Sequence, residues 1–423
     1  MSRRLPPLVA FFRRLGPGLI TGAADDDPSG IATYSQAGAR FGTELLWTVV
    51  LTLPLMTAIQ SICARIGRVT GQGLAANMRR VLPGWAAYGI VLLLFIANTV
   101  NIGANIAAMG AAVRLVTGGN AAVFAIGLAA GSLLLQVFTP YHRYVDVLKW
   151  LTLSLFAYVG VVFTVQIDWA AAARDALWPQ LDWSREAVIT VVAVFGTTIS
   201  PYLFFWQSAQ EVEEETLAGA APLKKDPRPA RRELDRIAFD TYVGMGFSNL
   251  IAFFIMLTTA STLHVAGITE ISTSAQAAEA LRPIAGDFAF LLFSLGIVGA
   301  GLLALPVLAG SAAYALGELR GWRVGLERKP QNAPAFYGVI ALAYGLGLLM
   351  LFSPLDPIQA LFWSAVLNGV IAVPLMAATL IVASSRRRMG DFTAPLGLRL
   401  LGWVATGVMA TAVVLMFVFQ TPA

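Results

Sequence analysis

Reactive and soft metal-binding side chains are nearly missing from this chain. Cys63 is the single cysteine in 423 residues, and His142 and His264 are the only histidines. That excludes a disulfide framework and a cysteine metal cluster, and it argues against a zinc site built from histidine pairs. No HExxH, GxSxG or histidine-rich cluster occurs, so the sequence offers no support for a membrane enzyme. Charge is scarce as well: 13% of the residues are charged, where a soluble domain carries about 25%. With 57% of residues hydrophobic, the apolar surface cannot all hide in a water-soluble core, and lipid must solvate much of it. The formal charge of +5 does not point to nucleic acid, because its distribution along the chain has a better explanation.

Long apolar runs are abundant. A spanning helix needs roughly 20 mostly apolar residues. Uninterrupted candidates are 45–66, 86–113, 121–139, 145–166, 238–262, 287–316, 334–353, 358–384 and 396–420. Two more, 16–41 and 187–215, have spanning length but are interrupted in the middle, which gives an expectation of eleven spans. Basic residues test that count, since short loops on the inner side carry the excess of Lys and Arg. With residues 1–15 as a cytoplasmic amino-terminal segment, the inner side receives Arg3, Arg4, Arg13 and Arg14, then Arg65, Arg68, Arg79 and Arg80. It also receives His142, Arg143, Lys149, the 217–237 connection and the run Arg386-Arg387-Arg388. Outer loops hold little more than Arg114, Arg174, Arg185 and Arg282. The expected topology is therefore amino terminus inside and carboxyl terminus outside, in the inner membrane of a bacterium. The Pro- and charge-rich stretch 218–236 reads as a solvated connector, and the three tryptophans of 167–186 suit an interfacial belt.

The interruptions carry the chemistry. In GAADDDPSG, residues 22–30, three carboxylates run into Pro28, and Pro201 breaks the sixth span. Unwound backbone is costly in lipid and is tolerated where it lines a cavity. Two broken helices, each opening a set of five spans, are the sequence pointer to an inverted-repeat carrier with a midplane site. Asp27 touches the first break and is the prime candidate for a cation ligand, since a carboxylate at that depth costs at least about 2.5 kcal/mol. Asp25 and Asp26 either line an aqueous approach or form the hydrated face of a short half-helix. Glu211 and Gln207 follow the second break; they line an inner vestibule, or Glu211 joins Glu213, Glu214 and Glu215 at a wet helix end.

At these breaks the chain resembles the NRAMP family of divalent-metal transporters, whose first helix breaks at an Asp-Pro-Gly-Asn motif; here it stands as Asp27-Pro28-Ser29-Gly30. GQGLAANM at 71–78 and GTTISPYLFFWQS at 196–208 add to the resemblance. It implies an all-α, LeuT-like (APC-type) domain over 16–420. Inverted repeats of five helices would cover about 16–166 and 187–384, with an extra helix at about 396–420. The family's sixth helix reads Ala, two further residues, then Met-Pro-His, and here those positions are Thr197, Ser200, Pro201 and Tyr202. The resemblance thus implies a metal site of Asp27, Gly30, Thr197, Ser200 and Asn368, with Asp25, Asp26, Tyr202, Gln207 and Asn105 along the access path.

Two substitutions harden that site. The family's amide is Gly30 and its thioether is Ser200, and hard oxygen ligands suit magnesium where sulfur suits softer metals. The third span carries Asn98, Asn101 and Asn105 but no acid, so the family's proton-handling carboxylates are missing there. The expectation is uptake of partly hydrated Mg²⁺, and of Mn²⁺, without obligatory proton coupling and without a resident cofactor. Alternatives are a proton-coupled Mn²⁺ or Fe²⁺ importer and a sodium-coupled symporter of a small organic solute on the same fold. The partners expected are the ion and the bilayer, and a monomer suffices for either.

Overall fold

The computed structural model describes residues 17–139, 154–179, 183–352 and 354–419. Every regular element among them is helical. The chain runs through α1 (Pro17–Asp25), α2 (Pro28–Phe41), α3 (Leu46–Thr70), α4 (Leu74–Val81), α5 (Gly84–Thr117) and α6 (Ala121–Phe138). It continues through α7 (Phe156–Val162), α8 (Trp169–Leu177), α9 (Arg185–Thr198), α10 (Pro201–Leu217) and α11 (Ala230–Thr259), the last extended by a π turn to His264. Then come α12 (Ser274–Glu279), α13 (Arg282–Ala285), α14 (Ala289–Arg320), α15 (Pro334–Leu348), α16 (Pro357–Ser384), α17 (Arg386–Met389) and α18 (Leu396–Val418).

Nine stretches among the described residues are long and apolar enough to cross a membrane, with α9 and α10 counted as one. The protein is an integral, multi-pass membrane protein. Two expected spans lie outside that nine. One is the first, divided into α1 and α2; the other is 145–166, whose first nine residues fall outside the described part and whose remainder holds α7. His142, Arg143 and Lys149 also lie outside the described residues, as does the 1–15 segment.

Both breaks follow from proline. Proline lacks an amide hydrogen and pushes the residue before it out of helical conformation. Asp27 is extended at φ −74°, ψ 168°, and Ser200 at φ −69°, ψ 120°, each with Pro as the first residue of the next helix. The caps differ. Asp27 accepts the Gly30 backbone N–H at 2.9 Å, whereas the Ser200 hydroxyl turns back to the Thr197 carbonyl.

Burial sorts the helices into a centre and a rim. The most apolar window of α9–α10 is 94% buried within the protein, against 22% for α6 and 39% for α18. The broken helices are therefore the axis of the bundle, and the rim exposes Val123, Ile126 and Leu134 to lipid. Glycine lets the central helices touch backbone to backbone. A Cβ on Gly22 of α1 would stand 2.8 Å from Gly244 Cα of α11, and one on Gly196 of α9 would stand 2.7 Å from Gly369 Cα of α16.

The 218–236 stretch is mostly exposed, as a solvated connector should be, but it is anchored to the bundle at a few points. Leu223 is fully buried, and the backbone N–H groups of Leu223 and Lys224 donate to the carbonyls of Arg68 and Val69 at 3.2 and 3.1 Å. Arg68, itself buried, pairs with Glu215 at 2.9 Å, reaches Glu233 at 3.4 Å and donates to the Ala221 carbonyl at 2.9 Å. Arg236 pairs with Glu211 at 2.7 Å. Of the acids expected at a wet helix end, Glu211 and Glu215 are buried and Glu213 accepts from the Leu326 N–H at 2.8 Å; Glu214 alone is exposed. The reason is pairing: opposite charges from α3 and α11 let the acids leave water. Trp169, Trp178 and Trp183 do face outward, as an interfacial belt requires.

Candidate cation site

Asp27 is a buried carboxylate whose hydrogen bonds all come from neutral donors. Oδ1 accepts the Ser29 hydroxyl at 2.5 Å and the Gly30 amide at 2.9 Å. Oδ2 accepts the side-chain amides of Asn101 and Asn105 on α5, each at 3.3 Å. Asn101 in turn accepts the Ser364 hydroxyl of α16 at 3.3 Å. None of Asp25, Asp26 and Asp27 pairs with a Lys, Arg or His among the described residues. A buried charge without a counter-ion is expensive, so the arrangement favours a visiting cation.

Thr197 comes to the same place from α9. Its hydroxyl is 3.5 Å from that of Ser29. A Cβ on Gly30 would lie 3.3 Å from the Tyr34 ring, and 3.4 Å from both the Asp25 carbonyl oxygen and the Thr197 hydroxyl. Asp27, Gly30 and Thr197 therefore share one locus, bordered by hard oxygens. Ser200 stands at the second break with its hydroxyl bonded to the Thr197 carbonyl. Asn368, buried on α16, finds no hydrogen-bond partner for either amide atom among the described residues. It directly precedes Gly369, which touches Gly196, the neighbour of Thr197. A buried amide left wholly unpaired costs about 1–3 kcal/mol per group, which marks a place for a ligand or ordered water.

The residues expected on an approach path fall into two groups. Asn105 is at the carboxylate itself, and its Oδ1 is left without a partner. The others fasten helices. The Tyr202 hydroxyl donates to the Ala24 carbonyl at 3.0 Å, and Gln207 accepts the Thr21 hydroxyl, tying α10 to α1. Asp25 and Asp26 are neither hydrated nor lining a vestibule: both are buried, and both lie against the Ser248 hydroxyl of α11, at 2.8 and 3.0 Å. Three consecutive acids thus do not converge on one ion. Among the described residues, no three His, Cys, Asp or Glu side chains could hold a metal together.

Sequence reasoning missed Ser29, Ser248 and Ser364. Ser248 carried a signal, since Ser248-Asn249 is a polar pair inside an apolar run; the Asn249 amide donates to the Val49 carbonyl at 2.8 Å. His264 meets the Ala39 carbonyl near the end of α2 at 2.9 Å.

Residues 18–419 match the family model described as natural resistance-associated macrophage protein-like, Nramp. The chain belongs to this family. Among its Nramp relatives is the "Divalent metal cation transporter MntH" of Acidiphilium cryptum, 27% identical over 392 residues, 88% of this chain and 82% of that one. The protein of the same name from Klebsiella pneumoniae is 27% identical over 413 residues, 94% and 92% of the two chains. A crystal structure of the Eremococcus coleocola manganese transporter, bound to an aromatic bis-isothiourea compound, superposes with a TM-score of 0.73. That match covers 100% of this chain and 92% of the other at 16% identity, and it gives this Nramp chain the LeuT-like fold.

Proposed function

We propose that the protein is a carrier for divalent metal cations, Mg²⁺ foremost and Mn²⁺ with it, working by alternating access about Asp27 without obligatory proton coupling. The observation that carries this reading is the donor set: one carboxylate among hydroxyls, carbonyls and amides, with no Met or His among residues 25–30 and 197–202 of the two breaks. Such donors suit a hard ion that keeps several of its waters. The relatives' names support the divalent-cation part.

Oδ2 is the face we assign to the ion. Its two amide contacts are the long ones, and an amide can turn to present its oxygen instead of its nitrogen. Asn105, whose Oδ1 is otherwise unpartnered, then changes from a donor to the carboxylate into a ligand or a partner of the ion's water. The unpaired amide of Asn368 receives a further water of the hydration shell. A membrane potential of about 100 mV, inside negative, contributes roughly 2.3 kcal/mol per charge, twice that for a divalent ion, so uptake needs no second gradient. We place the protein in a bacterial inner membrane with its amino terminus cytoplasmic, on the distribution of basic residues.

The test is ion uptake into proteoliposomes carrying a pH-sensitive dye. Mg²⁺ and Mn²⁺ enter wild-type vesicles, Asp27→Ala vesicles take up neither, and the interior stays at constant pH. Stoichiometric acidification overturns the uncoupled reading; failure of both ions to bind in calorimetry or to enter overturns the metal reading. A second reading, proton-coupled Mn²⁺ uptake, draws on Asp25 and Asp26. Two carboxylates against one hydroxyl hydrogen leave room for a shared proton, and the same dye measures it.

A further inference from the structure

A second charged site lies away from the breaks. A cavity of about 260 Å³ opens where the end of α3, the 218–229 connection and α17 meet. Arg80, Lys224, Lys225 and Arg388 line it, and no acidic residue does. Among the described residues none of these four cations pairs with a carboxylate. The acid nearest in charge effect, Glu215, is committed to Arg68 at 2.9 Å.

The cavity is built, not incidental. Asn77 Oδ1 accepts both Nε and Nη2 of Arg388, at 2.9 and 2.7 Å, and Gln72 Oε1 accepts Nη2 at 2.8 Å. Asn77 is braced in turn by donating to Thr70 and to the carbonyls of Gln72 and Gly73, each at 2.9 Å. That is the use of the GQGLAANM stretch: it fixes a guanidinium by two edges and leaves Nη1 without a partner among the described residues. Lys224 Nζ donates to the carbonyls of Arg387 and Arg388 at 2.9 and 3.1 Å, which leaves one of its three hydrogens for a ligand. Partial burial, with Arg80 and Arg387 close by, pushes the Arg388 guanidinium below its ordinary range. The fold therefore holds like charges together and orients their donors without supplying an anion of its own.

We propose that this cavity binds a phosphate-bearing anion. A phosphate offers three acceptor oxygens to a fixed guanidinium and flanking ammonium groups, the pattern that strong phosphate recognition uses. The cavity sits at the ends of the spans Leu46–Thr70 and Pro357–Ser384, the depth of lipid headgroups, and basic pockets at that depth are where anionic lipids dock. The shared chemistry is a phosphate group, from an anionic lipid or from a soluble phosphate compound.

The experiment is thermal unfolding and native mass spectrometry of the full-length protein in neutral detergent. The probes are phosphatidylglycerol, phosphatidylcholine, glycerol phosphate and inorganic phosphate. The variant Arg80→Gln/Lys225→Gln removes two lining charges that make no hydrogen bond of their own, so it folds like the wild type. Arg114→Gln/Arg185→Gln removes equal charge elsewhere. Phosphatidylglycerol raises the melting temperature and stays bound in the wild type and in the control. In the cavity variant its affinity falls about thirtyfold, each basic side chain contributing roughly fivefold. A shift with phosphatidylglycerol alone assigns the site to lipid, and an equal shift with glycerol phosphate or phosphate assigns it to a soluble anion. No shift with any phosphate probe, a shift with phosphatidylcholine as large, or equal loss in the control variant overturns the proposal.

Discussion

At Asp27 the two oxygens are not equivalent: short bonds from Ser29 and Gly30 hold Oδ1, and two 3.3 Å amide contacts reach Oδ2. The first pair is local and fixes the cap, so it persists when an ion binds; the second is what an ion displaces. Asp27→Asn keeps the shape and the cap while removing the charge. It should abolish uptake yet leave the melting temperature within a few degrees, as scanning fluorimetry would show. Ser200→Met restores a thioether at the second break. It should shift competition uptake towards Mn²⁺ over Mg²⁺ by about tenfold, roughly 1.4 kcal/mol of discrimination; an unchanged ratio means that position 200 does not face the ion. Ser248→Ala takes the hydroxyl from both Asp25 and Asp26 and should lower stability by about 1–3 kcal/mol, read from unfolding in detergent.

Among the elements, the broken helices were the most legible part of the molecule. Pro28 and Pro201 interrupt apolar runs in a medium that penalises free backbone groups, so the sequence alone places both breaks, and the structure begins α2 and α10 at those prolines. The partners of the acids were not legible. Which hydroxyl meets Asp25 depends on α1 lying against α11, a contact set by Gly22 and Gly244, 222 residues apart, that no local pattern announces. The anchoring of the 218–229 connection was hidden for the same reason: Leu223 is buried and its backbone bonds to the last turn of α3, contacts that its polar composition does not announce. Glycines separate the close contacts from the open ones. Gly22→Val forces α1 off α11 and should destabilise by about 1–3 kcal/mol or more. Gly246→Ala, with open space beyond its Cα, should stabilise α11 by up to about 1 kcal/mol. Opposite signs in the same thermal assay would confirm that contact, and not glycine content, decides.

For the whole molecule, one buried guanidinium joins segments far apart in the chain. Arg68 of α3 holds Glu215 at the end of α10, Glu233 at the start of α11 and the Ala221 carbonyl between them. Arg68→Ala leaves Glu215 buried and unpaired, and the expected loss is about 3–5 kcal/mol, with faster proteolysis within 218–229. A different consequence follows from the two tyrosines beside the breaks. Tyr202 of α10 latches onto the last turn of α1 through Ala24, and Tyr34 of α2 latches onto the last turn of α9 through Thr198, at 2.9 Å. Each latch joins a half of the first broken helix to the opposite half of the second, one on either flank of Asp27. Tyr34→Phe would therefore remove the hydroxyl bond between α2 and α9 while leaving α1 and α10 joined through both Tyr202 and Gln207.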